Sequence, residues 1–537
     1  MAITKIYHTQ SWNTFHENGS FAARLLLSTE HAATHTIPDK LERYNDCAAE
    51  IRRLLAEALS ANEGFRAYGS AWSMNNIAHH KERMHFNAMM NIKLDIGNDD
   101  LLNGTAYHSE NLLFLECGNT IKEISGFLFG KGKSLKTSGA SNGQTIAGAI
   151  STGIHGSAAD VGSVQDYVVG INLIIGPGPN DVVYLERHSR PALKDSFAAK
   201  IQSRIIRNDG LFNAALVGLG SFGFIHGVVI EVEDLFLLKR YVKHISKQVA
   251  LNLSESQDFK NSDFRIEGET DDAGNPLKPY HFKVYLNPYN EEEDYVAEVI
   301  YKKPYQSNYP NPVNTIQQAM YKDLPDFIAR FASTFNRSIP LMLKAMKGTL
   351  FPKLDTEVTG TLGEIFWDSI HKGPAFAFTI GVDHSQTKRA LDLFVQLARN
   401  EGPIPGAMAL RFVKASEATL AFTKFPITCI VEMDGVLWKG SKKMISIEQF
   451  NQRLIEVYQH AGIKFTIHWG KTAQWSYPGL ADYMYGNRKT EWMQYRSALL
   501  GPEMAKVFTN DFLVTAGLAQ YQEGIAANLI ATQTVIV

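Results

Sequence analysis

Residues 137–157 read TSGASNGQTIAGAISTGIHGS. Glycines stand at 139, 143, 148, 153 and 156, among Ser, Thr and Ala, with almost no large side chain. The stretch does not read as a flexible linker, because Ile146, Ile150 and Ile154 recur every four residues. Small residues in such a setting imply that main chain comes very close to something else. Two more stretches of this kind flank it: GFRAYGSAWS at 64–73 and LVGLGSFGFIHGVVIEVE at 216–233. Glycine-rich turns present main-chain N–H groups to anions, phosphates above all. Neither long stretch carries GxxxxGK(S/T), so a P-loop is unsupported. LGSFGF opens a strand, whereas a dinucleotide fingerprint of the Rossmann type opens a helix. Close-packed loops would explain any one stretch. Three in one chain favour a single extended ligand threaded between them, such as a dinucleotide with a pyrophosphate and a planar ring system.

Outward from this segment the elements alternate. DKLERYNDCAAEIRRLLAEALS (39–60) has the spacing of an amphipathic helix. GFRAYGSAWS reads as a short strand entering a turn. HFNAMMNIKLDI (85–96) and NLLFLECG (111–118) read as strands, and TIKEISGFLFGKG (120–132) as a helix closed by glycine. YVVGINLIIGPG (167–178) follows as a strand. From about residue 236 aromatics and charges become common. Residues 313–349 read as helical. AFAFTIGVDH and ITCIVEMDGVLW read as strands, and SIEQFNQRLIEVYQHAGI (446–463) as a strong amphipathic helix. The fold class expected is α+β, with an antiparallel sheet and flanking helices in the second half.

The chain has 537 residues, room for two to four domains at roughly 150 residues each. Hydrophobic residues make up 45% and charged residues 20%, which disfavours disorder. Lys+Arg number 53 against 55 Asp+Glu, so net charge is -2 and global electrostatics gives no argument for nucleic acid. Cys47, Cys117 and Cys429 are scattered, with no zinc or CxxC spacing. No apolar run reaches the roughly 18 residues of a membrane span. The N-terminus shows no basic segment followed by an apolar one, so a cytoplasmic location is expected.

YGSAWS, GAISTGIHGS, LVGLGSFGFIHGVVIEVE and HWGK (468–471) resemble, in this order, stretches of the vanillyl-alcohol-oxidase superfamily. These are flavoproteins with a PCMH-type FAD-binding domain, and the likeness is to the branch of alditol, aldonolactone and bacterial sterol oxidases. The resemblance implies an FAD-binding domain of two subdomains at 1–238. It implies a substrate-binding cap domain at 239–476 and a return to the first domain at 477–537. It places the FAD pyrophosphate on Tyr68, Gly69, Ser70, Ala71 and Trp72, with Ser73 following. Ser138, Gly139, Asn142, Gly143, Thr145, Gly148, Ser151, Gly153, His155 and Gly156 would run beside the flavin and its ribityl chain. Gly223 and Ile225 would touch the adenine side. Many relatives carry a histidine in the first loop that bonds covalently to the flavin. Here Trp72 holds that place, and indole cannot make the bond, so non-covalent FAD is expected.

The resemblance also points to the chemistry. Alditol-type relatives have Glu-x-Arg on a strand facing the flavin; here the stretch reads Ala409-Leu410-Arg411, so the arginine is kept and the acid is not. Glu432, in CIVEMDG, can supply a carboxylate from the next strand; the alternative is a surface glutamate. Its flanks are apolar, and an unpaired buried carboxylate is costly. Lys471 of HWGK would stabilise negative charge on reduced flavin. His468 is a proton shuttle or a structural histidine, and His155 is expected to be structural near the ring. His79, His80 and His85 lack partners at a ligand spacing and read as a solvated loop, so no metal site is expected. Arg52, Arg53 and the basic run 439–443 read as solvated faces.

The resulting reading is an FAD-dependent oxidase or dehydrogenase acting on a CH–OH or related C–H group of a small organic substrate. O₂ or another acceptor would take the electrons. Loss of the sugar-oxidase glutamate argues for a bulky or hydrophobic substrate. The alternative is a flavin-binding protein that has lost catalysis. A nicotinamide dehydrogenase is disfavoured, since no βαβ fingerprint occurs.

Overall fold

The computed structural model describes residues 1–290, 295–313, 339–340, 352–366, 375–438, 445–524 and 527–530. The helical reading of 313–349 falls almost wholly outside these residues, as does the basic run 439–443.

The helix at 39–60 forms as Lys40–Ser60. Asp39 caps it by accepting from the Glu42 N–H at 2.8 Å. Its buried face carries Tyr44, Cys47, Ala48, Ile51, Leu54, Leu55 and Ala58, three or four residues apart. It packs by a four-stranded sheet, ordered Ile3–His8, Leu25–Glu30, Arg83–Phe86, Phe65–Tyr68. A six-stranded sheet follows, ordered Arg204–Arg207, Val182–Glu186, Val168–Ile174, Phe224–Glu231, Leu112–Glu116, Lys93–Asp95. Strand Val168–Ile174 is buried at every residue, as an apolar run covered on both faces must be.

The single strand read at 85–96 is two strands in two different sheets. Arg83–Phe86 joins the first sheet and Lys93–Asp95 the second. The break is a turn in which the Met90 N–H donates to the Asn87 carbonyl at 3.0 Å. Gly118 packs on that turn so closely that a Cβ would stand 2.1 Å from the Asn87 carbonyl oxygen.

The third sheet has eight strands. Their order is Thr356–Gly360, Phe236–Ile245, Tyr295–Pro304, His281–Leu286, Gly406–Lys414, Ile427–Val436, Ala375–Asp383, Phe465–Ile467. Every neighbouring pair is antiparallel. Helices Lys247–Ser256, Thr387–Asn400 and Ile447–His460 cover one face, with the Phe378 ring stacked on Phe450 at 5.1 Å. The opposite face is left for the site.

After Phe465–Ile467 the chain returns to the first half. In helix Asn487–Val507, kinked at Gly501, the Trp492 indole N–H donates to the Val217 carbonyl at 3.2 Å. Arg496 donates to the Ser221 carbonyl at 3.0 Å. Among the described residues no helix is long and apolar enough to cross a membrane.

Candidate active site

A cavity of about 590 Å³ lies between the three glycine stretches and the open face of the eight-stranded sheet. The stretches are fastened to one another before they meet any ligand. A Cβ on Gly69 would stand 2.1 Å from Thr145 Oγ1, so the first stretch rests on the second. The Leu219 N–H donates to the Ser151 carbonyl at 3.1 Å, joining the third to the second. The Met74 N–H donates to the Gly470 carbonyl at 2.8 Å, and the Asn75 amide to the carbonyls of Trp469 (2.8 Å) and Lys471 (3.0 Å). Arg66 completes the joint. It is 1% exposed, lines the cavity, and donates to the carbonyls of Ile77, Leu219, Gly220 and Phe508. Burial pushes its guanidinium down to about 9.

Tyr68, Gly69, Ser70, Ala71, Trp72 and Ser73 all line the cavity. So do Gly139, Thr145, Gly148, Ser151, His155, Gly223 and Ile225. The isoleucine period of the central stretch is a helix, Ile146–Thr152, capped by Thr145. Ile146 and Ile150 face the core, and Ala147, Gly148 and Ser151 face the cavity.

Ser138, Asn142, Gly143, Gly153 and Gly156, expected along the ligand, are not among the residues that line the cavity. The Asn142 amide donates to the Phe366 carbonyl instead. Gly153 ends the short helix with φ 77°, a conformation that favours glycine. Gly156 is small because Thr137 Oγ1 and the Ser138 carbonyl would lie 2.6 and 2.7 Å from its Cβ. These residues support the wall from behind.

Arg411, Glu432, His468 and Lys471 also line the cavity. Strand register explains the grouping. Side chains two apart on a strand share a face. Lys283 pairs with Arg411, Tyr285 with Ala409, Ala409 with Glu432, and Ala407 with Asp434. The sheet therefore turns Lys283, Tyr285, Ala407, Ala409, Arg411, Glu432 and Asp434 toward the cavity. Glu432 stands directly across from Ala409, one strand away from the position where the acid is missing.

Glu432 is no surface residue: it is 2% exposed. Its Oε1 accepts from Arg411 Nε at 2.6 Å and lies 3.7 Å from Lys283 Nζ. Burial alone would raise its carboxyl. The Arg411, Lys283 and Lys471 cations outweigh burial and hold it at about 2. Burial, and then the Arg411 charge, bring Lys283 down to about 8, and its ammonium sits 4.3 Å over the Tyr285 ring. Asp434 lines the cavity with its side chain exposed to it. Burial first, then the Glu432 charge, raise its carboxyl above the usual range.

His468 is buried, and its Nδ1 accepts from the Gly470 N–H at 3.0 Å. Burial, then His155 and Lys471, keep it well below its usual value, which favours the neutral ring. His155 is likewise held at about 3 by burial and then the Arg411 charge. Its Nδ1 lies 3.0 Å from the Gly156 carbonyl.

The reading of His79, His80 and His85 as a solvated loop is corrected. His79 and His85 are buried, and His85 Nε2 lies 2.8 Å from Thr29 Oγ1. Arg53 is exposed, as the solvated-face reading expects, and pairs with Glu50 and Glu57; Arg52 is half-buried and donates to the Pro177 carbonyl. The described residues bring together one trio of metal-ligand type, His31, Cys47 and Glu116. Its imidazole bridges the other two: Nδ1 is 3.1 Å from Cys47 Sγ and Nε2 is 2.8 Å from Glu116 Oε2. Both ring nitrogens are thus engaged.

FAD fits the cavity. The volume lies in the range of cofactor pockets, roughly 300–1,000 Å³. Ala71 (φ 55°) and Gly223 (φ 113°) adopt the left-handed turns that present main-chain N–H groups to an anion. Asn87 Oδ1 and Gln144 Oε1 are buried acceptors without a partner among the described residues, on two residues that line the wall. A ligand rich in N–H and O–H donors would satisfy them.

No protein-family model matches the sequence. L-gulonolactone oxidase 3 of Arabidopsis thaliana is 34% identical over 139 residues, 25% of this chain and 21% of that protein. D-arabinono-1,4-lactone oxidase of Kluyveromyces lactis is 29% identical over 161 residues, 29% of this chain and 27% of that protein. The Candida glabrata enzyme of the same name is 27% identical over 191 residues, 35% and 31% of the two chains. The matches thus span between a fifth and a third of these relatives. Cholesterol oxidase from B. sterolicum superposes with TM-score 0.66 at 13% identity, covering 96% of this chain and 97% of that one. A solvent-stable cholesterol oxidase gives 0.63 at 11%, covering 96% and 98%. The chain thus has a cholesterol-oxidase-like fold over its length and lactone-oxidase-like sequence over part of it, both in line with the resemblance to the vanillyl-alcohol-oxidase superfamily of PCMH-type FAD-linked oxidases.

Proposed function

We propose that the protein is an FAD-dependent oxidoreductase that oxidises a CH–OH, or related C–H, group of a small organic substrate, with O₂ as acceptor. The observation that carries this reading is the meeting, in one cavity, of three glycine stretches with a charged group built across three sheet strands. Residues 1–238 with 477–537 would hold the cofactor and 239–476 the substrate. FAD would supply the acceptor for a hydride and the route of its electrons to O₂.

The chain's own groups would do the rest. Tyr68 to Ser73 would hold the pyrophosphate. Among the described residues the Lys471 ammonium makes no ion pair within 4.0 Å, so it is placed to favour negative charge arising in the cavity. Glu432, neutralised by Arg411 and Lys283, orients these two cations and does not take up protons near neutral pH. Ala375, Ala407 and Ala409 leave room in front of the sheet, which supports a bulky substrate over a polyol.

The test is an anaerobic panel of alcohols and aldonolactones, linear and bulky, added to the yellow holoprotein. Loss of the visible flavin band, with its return on admitting air, is expected from a bulky hydrophobic alcohol. A flavin that no member of the panel bleaches would overturn the reading.

A further inference from the structure

We propose that Asp434 accepts the hydroxyl proton of the substrate, and that Glu432 acts only as a positioning residue. The proposal rests on the oxidase reading above. Two carboxylates, two residues apart on strand Ile427–Val436, share the cavity face, and their surroundings are opposite. Glu432 is 2% exposed and locked to Arg411 at 2.6 Å. Asp434 is open to the cavity and has no hydrogen bond or ion pair among the described residues. An accessible carboxylate that faces the cavity without a partner is where a substrate O–H can bond directly. Across from it stands Ala407, which offers no competing group.

The charged and titratable groups around Asp434 come from several elements. Glu432 lies on its own strand, Arg411 on the next, Lys283 and Tyr285 on the strand beyond, and Lys471 in the HWGK turn. His155 and His468 complete the polar wall and stay neutral. Burial and the Glu432 charge together favour the protonated form of Asp434 more than in water, which suits an acceptor working nearer neutral pH. In the step, the carbinol C–H bond breaks and its electron pair leaves as hydride to the oxidised flavin. The O–H bond breaks and its proton goes to the Asp434 carboxylate. The carbon–oxygen double bond forms from the O–H electrons, so the alcohol loses two electrons and the flavin gains them.

Asp434→Asn tests this with two readouts. The first is titration of the yellow holoprotein with sulfite, an anion that bleaches oxidised flavin by adding to it. As Asp434 loses its proton, the wild type should bind sulfite less well than Asp434→Asn, by about tenfold on the alkaline side of the transition. The ratio of the two constants cancels sulfite's own titration. Glu432→Gln should keep a transition but move it to lower pH, because the Glu432 charge helps raise the Asp434 carboxyl. The second readout is flavin reduction by the alcohol that bleaches the wild type. It should slow by about 100-fold in Asp434→Asn with FAD content unchanged. An Asp434→Asn protein that keeps the wild-type pH course for sulfite, or reduces at the wild-type rate, overturns the proposal. Failure of the oxidase reading shows differently: no alcohol bleaches the wild type itself, and the proton acceptor falls with it.

Discussion

Arg411 Nε donates to Glu432 Oε1 at 2.6 Å across two neighbouring strands, in a site where both side chains are about nine-tenths buried or more. Such a pair is weak evidence for net stability, yet breaking one side of it is expensive. Glu432→Gln should therefore cost about 3–5 kcal/mol, because it leaves the Arg411 and Lys283 cations uncompensated. Urea unfolding of the holoprotein measures this. A loss within error of zero would mean that solvent or another group replaces the carboxylate. The pH course has a definite sign. The folded carboxyl sits at about 2, below its ordinary 4.5. Its contribution is complete above the ordinary value and fades as pH falls from there through the folded value. Acid unfolding of Glu432→Gln should lack this component.

Lys471 lines the cavity and, among the described residues, no carboxylate holds its ammonium within 4.0 Å. Lys471→Ala should keep its FAD and slow flavin reduction by about 10²–10³-fold, the usual weight of one preorganised charge. Lys471→Arg should recover part of the rate. Stopped-flow absorbance under anaerobic conditions measures both. An unchanged rate in Lys471→Ala would remove the residue from the chemistry.

Trp72, which the sequence resemblance sets at the place of the relatives' covalent histidine, stacks on Phe15 at 4.2 Å. Indole offers no nitrogen lone pair for a bond to the flavin methyl. Acid precipitation of the yellow protein should leave the colour in the supernatant and a white pellet. A yellow pellet would place a covalent bond on some other side chain.

The parts of the site legible in the sequence are those written as contiguous motifs. The three glycine stretches, Arg411 and Lys471 all reach the cavity, since each motif carries its own turn or strand. Glu432 was legible because apolar neighbours on both sides demand a buried partner for it. Asp434 was within reach too, since it lies two residues on and so on the same face. Lys283 and Tyr285 were not. Their place depends on the pairing of Lys283 with Arg411, more than a hundred residues away, and a strand does not encode its neighbour locally. His85 was misread for a similar reason: its partner, Thr29, belongs to another strand of the same sheet. Glycine content was the least discriminating signal, because close approach to a ligand and close approach to backbone leave the same residue.

Two glycines of the same fold separate these causes. Gly69 lines the cavity, and a Cβ there would collide with Thr145 Oγ1 at 2.1 Å and Cγ2 at 2.6 Å. Thr145 cannot yield easily, since its hydroxyl caps helix Ile146–Thr152. Gly69→Ala should push the first stretch off the second, and the holoprotein should purify with far less FAD. Gly153 lies behind the wall, with Val217 Cγ2 the nearest atom at 3.7 Å from a built Cβ, so there is room for a methyl. What a side chain meets there is the left-handed backbone at φ 77°, a strain of about 1–3 kcal/mol. Gly153→Ala should therefore lower the unfolding midpoint and still bind FAD stoichiometrically. Absorbance ratios of visible to ultraviolet bands, measured beside thermal melts, separate the two effects. A colourless Gly153→Ala protein with a normal melt would put the ligand on the other side of that wall.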